Sequence, residues 1–236
     1  MSYNDKIEER SLKVIARIRT DFPEKFGIPR QSGIVDALKG VIVFEPEYRN
    51  PHALRGLEGF SHIWLIWEFS KAVSDKWSPT VKPPRLGGNK RMGVFATRSP
   101  FRPNPIGLSS VKLDGIELDT ELGPILHISG ADLMDNTPIF DIKPYLSYTD
   151  SHPDATEGFA DSNTDYELQV EFPEQLLMNI PLEQREALLG VLAQDPRPAY
   201  QNNPSRIYGL FFAGFNIRFT VEERILTVCE VTPIQK

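Results

Sequence analysis

The feature that most restricts the fold is a run of short, alternating apolar stretches cut by Gly, Pro and Asx turns, with almost no helical periodicity before residue 145. Alternation at a period of two is the mark of half-buried strands, and close punctuation keeps each strand short. Leu12–Arg19 reads as a first strand, with Val14, Ala16 and Ile18 on one face. Val41–Phe44 reads as a second, and Glu45–Glu58 as a loop or one short helix. Phe60–Phe69 holds five consecutive apolar residues, which predicts a strand covered on both faces and makes His62 a structural core histidine. Met92–Thr97, Gly107–Leu113, Ile116–Leu118, Ile125–Ala131 and Thr137–Ile142 follow, with Asp114-Gly115 as a hairpin turn. So many strands of this length predict a closed or nearly closed β-barrel-like domain over 12–145, behind a polar, mobile 1–11.

The remainder has a different character. Residues 146–165 are acidic and rich in Ser, Thr, Gly and Pro, as a linker is. Tyr166–Phe172 alternates as a strand. Pro173–Ala193 has the spacing of a broken helix, with Leu182 on its apolar side and Pro181 in a first turn. Arg206–Thr220 and Ile225–Val231 alternate again, so 166–236 reads as a small α+β domain. The whole is therefore mainly β, with two domains.

Charge is distributed unevenly. Lys76–Lys112 carries eight Lys or Arg and no acid in a chain of net charge −6, which leaves −14 elsewhere. Such contrast focuses positive potential on one patch and points to a polyanionic partner. Six prolines between Pro79 and Pro105 stiffen the segment. A solvated basic loop would share these features. Leu86-Gly87-Gly88-Asn89 is a plain turn by composition. The turn Asp132–Pro138 has two readings that composition alone leaves open: a backbone cap, or a grip for a ligand amine. Asp195-Pro196-Arg197-Pro198-Ala199-Tyr200 is a second rigid arginine loop, suited to a domain contact, to an anion, or to stacking a base on Tyr200.

Several classes are excluded. No Gly-rich phosphate loop and no G-x-S-x-G elbow is present. One cysteine, Cys229, rules out an internal disulfide and implies a reducing, cytoplasmic setting. The four histidines lie far apart, so no metal site is expected. No apolar run is long enough to span a bilayer.

The motifs themselves resemble a known family. PPRLGGNKRMGVFATRSPFRPNPIGLS at 83–109 is similar to the signature of the TsaA-like (TrmO) tRNA methyltransferases, as are FGIPRQ at 26–31, RGLEGFSHIW at 55–64, DLMDNTP at 132–138, DIKPY at 141–145 and DPRPAY at 195–200. The resemblance runs from about residue 12 to residue 220. It implies a homodimeric, S-adenosylmethionine-dependent enzyme with a β-barrel in place of the usual α/β fold. The reaction it implies is methylation of N6 of threonylcarbamoyladenosine at position 37, in the anticodon loop of tRNA. Methyl-donor contacts would fall on Pro29, Arg30, Gln31, Ser70, Lys71, Arg98, Leu108 and Asp135, Asn136, Thr137 and Pro138. Ser70 and Lys71 match by position only, since Lys71 departs from the family pattern, and the family often has Gly where this chain has Asn136. Asp135 and Asn136 would be catalytic, accepting the N6 hydrogen. RNA contacts would fall on Arg85, Lys90, Arg91, Arg102, Arg197 and Tyr200. The alternative is a non-catalytic RNA-binding module built on the same basic loop.

Overall fold

The structure is a computed structural model and describes residues 8–74, 76–83, 90–159, 166–197 and 203–234. Six strands close into a barrel: β1 (Ala16–Thr20), β2 (Lys39–Phe44), β3 (His62–Glu68), β6 (Ile106–Glu117), β7 (Ile125–Ser129) and β8 (Pro138–Pro144). Their order around the barrel is β1-β2-β7-β6-β3-β8. β4 (Thr80–Val81) and β5 (Met92–Gly93) form a separate two-stranded ribbon. The interior is filled by Ile18, Ile42, Ile63, Leu65, Leu126, Ile128 and Ile139 from alternate positions. Trp67 lies flat over Gly107, where a Cβ would meet its ring at 2.3 Å, so only glycine fits that position.

Three expectations about the strands need correction. Phe60–Phe69 is not covered on both faces. Ile63, Leu65 and Trp67 point inward, whereas Trp64, Ile66 and Glu68 are half-buried and His62 is exposed. The outer face has as cover the short helix α1 (Ser147–Asp150), to which Trp64 Nε1 donates at 2.8 Å through Asp150. Asp114-Gly115 is no hairpin turn: β6 runs straight through it, with a register shift against β7 between Leu113 and Gly115. Ser129 Oγ and Lys39 Nζ both donate to the Asp114 carboxylate, which makes a one-residue bulge cheaper than a reversal. Met92–Thr97 pairs over only two residues and then coils into a tight turn at Val94–Ala96.

The second sheet has the order β10 (Tyr208–Phe212), β11 (Phe215–Glu222), β12 (Ile225–Pro233), β9 (Gln169–Glu171), with β9 parallel to β12. The stretch read as one strand over Arg206–Thr220 is a hairpin turning at Ala213 and Gly214, both left-handed at φ 52° and 81°. The broken helix is α2 (Glu174–Leu177) and α3 (Leu182–Ala193). α3 buries Ala187, Leu188, Val191 and Leu192, while Leu182 stays exposed.

The connection between β1 and β2, residues 21–38, belongs to this second core. Phe22, Val35 and Leu38 pack among Leu188, Phe212 and Phe219. Phe22 meets Phe212 edge-on at 5.2 Å, and Ala213 N donates to Asp21 O at 2.9 Å. At Gly190 a Cβ would come within 2.7 Å of Val35.

Candidate functional site

Every neighbouring pair in the barrel is antiparallel. The C-terminal ends of β1, β3 and β7 therefore share one rim with the N-terminal ends of β2, β6 and β8. Three connections cross that rim: 21–38, 69–105 and 130–137. The motifs at 26–31, 83–109 and 132–138, far apart in sequence, are thus delivered to the same end of the barrel by topology alone.

A polar chain links these connections. Arg98 Nη1, from 69–105, donates to Gln31 Oε1, from 21–38. Asp132, from 130–137, lies within electrostatic range of the same guanidinium and of the Ser32 backbone. Ser109 Oγ donates to Asp132 Oδ1 at 2.6 Å, and Trp67 Nε1 donates to Ser109 Oγ at 2.9 Å. Burial pushes the Asp132 carboxyl above the usual carboxylate range, and Ser109, the nearby amides and Arg98 only partly offset this. The result is a largely desolvated carboxylate fixed from below by the barrel wall, within the field of the Arg98 guanidinium.

The other end of the 132–138 turn faces β1. Asp135 Oδ1 accepts from Thr20 N at 3.1 Å, and Arg19 Nη1 lies 3.7 Å from Oδ2. Asp135 N donates to Phe22 O, and Asn136 N to Ile18 O, each at 2.8 Å. Asn136 sits at φ 64°, the left-handed region, and Arg17 Nη1 donates to its carbonyl at 3.3 Å. Thr137 is buried and closes the turn by donating from Oγ1 to Met134 O at 2.7 Å; Pro138 is buried beside it. Asp21 is raised by burial and then by the Asp135 charge; it accepts from Gln184 Nε2 at 3.4 Å.

Pro29 is buried and Arg30 exposed, next to Gln31. Ser70 and Lys71 directly follow β3, with Lys71 exposed. Leu108 projects from the outer face of β6 opposite Ile66, 57% exposed. Lys90 and Arg91 are exposed, and Arg91 Nη1 donates to Thr80 Oγ1 at 2.7 Å. Arg102 is half-buried and donates to Thr97 O at 3.1 Å. Arg85 and Tyr200 lie outside the described residues. Arg197 does not present a phosphate-binding surface. Its side chain is 7% exposed and gripped by both oxygens of Asp195 at 2.8 and 2.9 Å, so it braces its own loop. Asp132 and Ser109 are the additions that sequence reading missed as site residues. Asp132 opens a motif already singled out, but Ser109 looks like any alternating strand position.

Fold and rim together define a class: a closed antiparallel barrel with an arginine–carboxylate centre at one end. A model of the tRNA-methyltransferase O N-terminal domain matches residues 17–151, and one of the TrmO C-terminal domain matches 165–234. The chain belongs to the tRNA-methyltransferase O (TrmO) family. It is 42% identical over 227 residues to the tRNA (adenine(37)-N6)-methyltransferase of Escherichia coli K12, covering 93% of this chain and 96% of that one. To the enzyme of the same name from Eikenella corrodens it is 45% identical over 177 residues, covering 75% and 99%. A crystal structure of TrmO from Pseudomonas aeruginosa superposes with a TM-score of 0.75 at 34% identity, covering 95% of this chain and all of the other. No helix among the described residues is long and apolar enough to cross a membrane.

Proposed function

We propose that this protein is an S-adenosylmethionine-dependent tRNA methyltransferase acting on N6 of adenine 37. The observation that carries the reading is the Arg98–Gln31 pair set in the field of the Asp132–Ser109 pair, because it brings separated family motifs together at the barrel rim. The amino-acid end of S-adenosylmethionine bears a carboxylate and an ammonium. A guanidinium next to a shielded carboxylate complements both charges, so the residues present fit the donor. When bound, the donor supplies an electrophilic methyl carbon.

In this reading Arg98, oriented by Gln31 and Asp132, holds the donor carboxylate. Pro29, Arg30, Ser70, Lys71, Leu108 and the 135–138 turn complete the pocket. The N6 lone pair of adenine is delocalised into the ring, so transfer needs a group that accepts an N6 hydrogen as the bond forms. Asp135 takes that proton, typically worth 10²–10⁴-fold, while the Asn136 carboxamide can accept only a hydrogen bond from N6–H. Thr20 N and Arg19 fix the orientation of the Asp135 carboxylate. Lys90, Arg91 and Arg102 contact tRNA phosphates. The active form is a cytoplasmic homodimer, and the substrate adenine carries a threonylcarbamoyl group.

Labelled donor, incubated with tRNA carrying or lacking that group and followed by nucleoside mapping, tests the reading. Label on N6 of adenine 37 is expected. Asp135→Ala should cut turnover by about 10²-fold or more with donor affinity nearly intact. Normal turnover with weakened donor binding would remove Asp135 from the chemistry.

A further inference from the structure

The 69–105 connection carries a second feature, separate from the arginine–carboxylate chain. The β4–β5 ribbon pairs Thr80 with Gly93 and Val81 with Met92, and Val94 N donates to Pro79 O at 2.9 Å. This brings Trp77, just before β4, beside Phe95, just after β5, with ring centroids 6.2 Å apart and planes inclined by 33°. Buried Val94 anchors the ribbon from below. Trp77 and Phe101 then line one cleft of about 410 Å³, together with Lys71, Lys76 and Arg102. The aromatic faces are open: Trp77 is 51%, Phe95 72% and Phe101 59% exposed.

Core aromatics are not left like this, and three rings on one loop form more apolar surface than isolated exposure accounts for. The occupant is set by charge. Lys76 and Arg102 stand around the rings, and Lys76–Lys112 contains no acid. Interleaved cations and open π-faces are the arrangement that holds single-stranded nucleic acid, the cations taking phosphates and the rings taking bases. A small donor molecule asks for the opposite, a pocket that covers about 70–90% of its surface.

We infer that Trp77, with Phe95 and Phe101, is a stacking platform for an unpaired tRNA base next to the target adenine. The inference rests on the tRNA-modifying reading above and adds to it a subsite that reads base exposure rather than phosphate charge. A base stacked there is withdrawn from the anticodon-loop stack, which frees its neighbour to enter the barrel rim.

The test is binding of an anticodon stem-loop RNA to the full-length protein, read by tryptophan fluorescence and by filter retention. Trp77→Ala is expected to weaken binding by roughly 5- to 150-fold, the effect of losing one base–aromatic stack. Trp77→Phe recovers most of it, while S-adenosylmethionine affinity and sedimentation stay unchanged. Placing an abasic site at successive loop positions identifies the base, since one such RNA no longer distinguishes wild type from Trp77→Ala. Equal RNA affinity in wild type and Trp77→Ala overturns the inference. So does weakened donor binding, which would make the cleft the donor's, or a change of oligomeric state, which would make the rings a contact between copies. If stacking holds but no methyl reaches adenine 37, the functional reading fails and the platform stands.

Discussion

Asn136 shows how one backbone angle governs the candidate site. At φ 64° an L side chain with a Cβ is disfavoured by about 1–2 kcal/mol, and Asn is among the few residues that tolerate the region. The same residue turns the chain from Asp135 back into β8 and receives Arg17 on its carbonyl. Asn136→Val should therefore lower stability by about 1–2 kcal/mol, and Asn136→Gly should hold or raise it, as chemical denaturation would show. The pair also separates conformation from chemistry. If Asn136→Gly keeps its stability yet loses turnover, the carboxamide itself is needed; if turnover persists, Asp135 is the acceptor.

Among the elements, β6 teaches most. Asp114 is moved by two opposing causes: burial pushes its carboxyl up, but Ser129, Lys39 and Lys112 together draw it below the ordinary value of 3.8. A carboxyl held lower in the folded chain contributes stability that is full above the unfolded value and fades as pH falls through the folded one. The melting-temperature gap between wild type and Asp114→Asn should thus be constant above about pH 3.8 and close below it. A gap that stays constant through the acid range would assign the bulge to packing alone. The partners of Asp114 also explain what sequence conceals. Most strand positions, the inward residues of β1 and the barrel class follow from period-two patterning. An Asp-Gly pair, however, signals a turn and a bulge equally, and Lys39 and Ser129, distant in sequence, decide between them. In the same way the 92–97 stretch has strand composition but finds only Thr80 and Val81 to pair with. The rim motifs were legible as motifs, whereas their meeting at one end depends on strand order, which no local pattern contains. Arg197 looked like a free cation in a rigid loop because its burial is set by the second core.

Across the whole molecule, charge and topology coincide: the described residues 76–83 and 90–105 of the cationic segment belong to the connection between β3 and β6, while the acidic excess lies elsewhere in the chain. The second core reaches the rim through residues 21–38. Removing residues 166–236 would expose Phe22, Val35 and Leu38 and release the loop bearing Pro29, Arg30 and Gln31. Such a truncation should reduce affinity for S-adenosylmethionine as well as for tRNA, measured by calorimetry on protein that retains the barrel's circular-dichroism signature. Loss of RNA binding alone would mean that the loop keeps its shape unaided.

Val35 nestled against Gly190 makes the two sheets co-owners of a single loop. Neither can drift in shape without dragging the other's ligand chemistry along. A substitution on the outermost helix, more than a hundred residues downstream in the chain, is thereby able to detune a pocket it never touches.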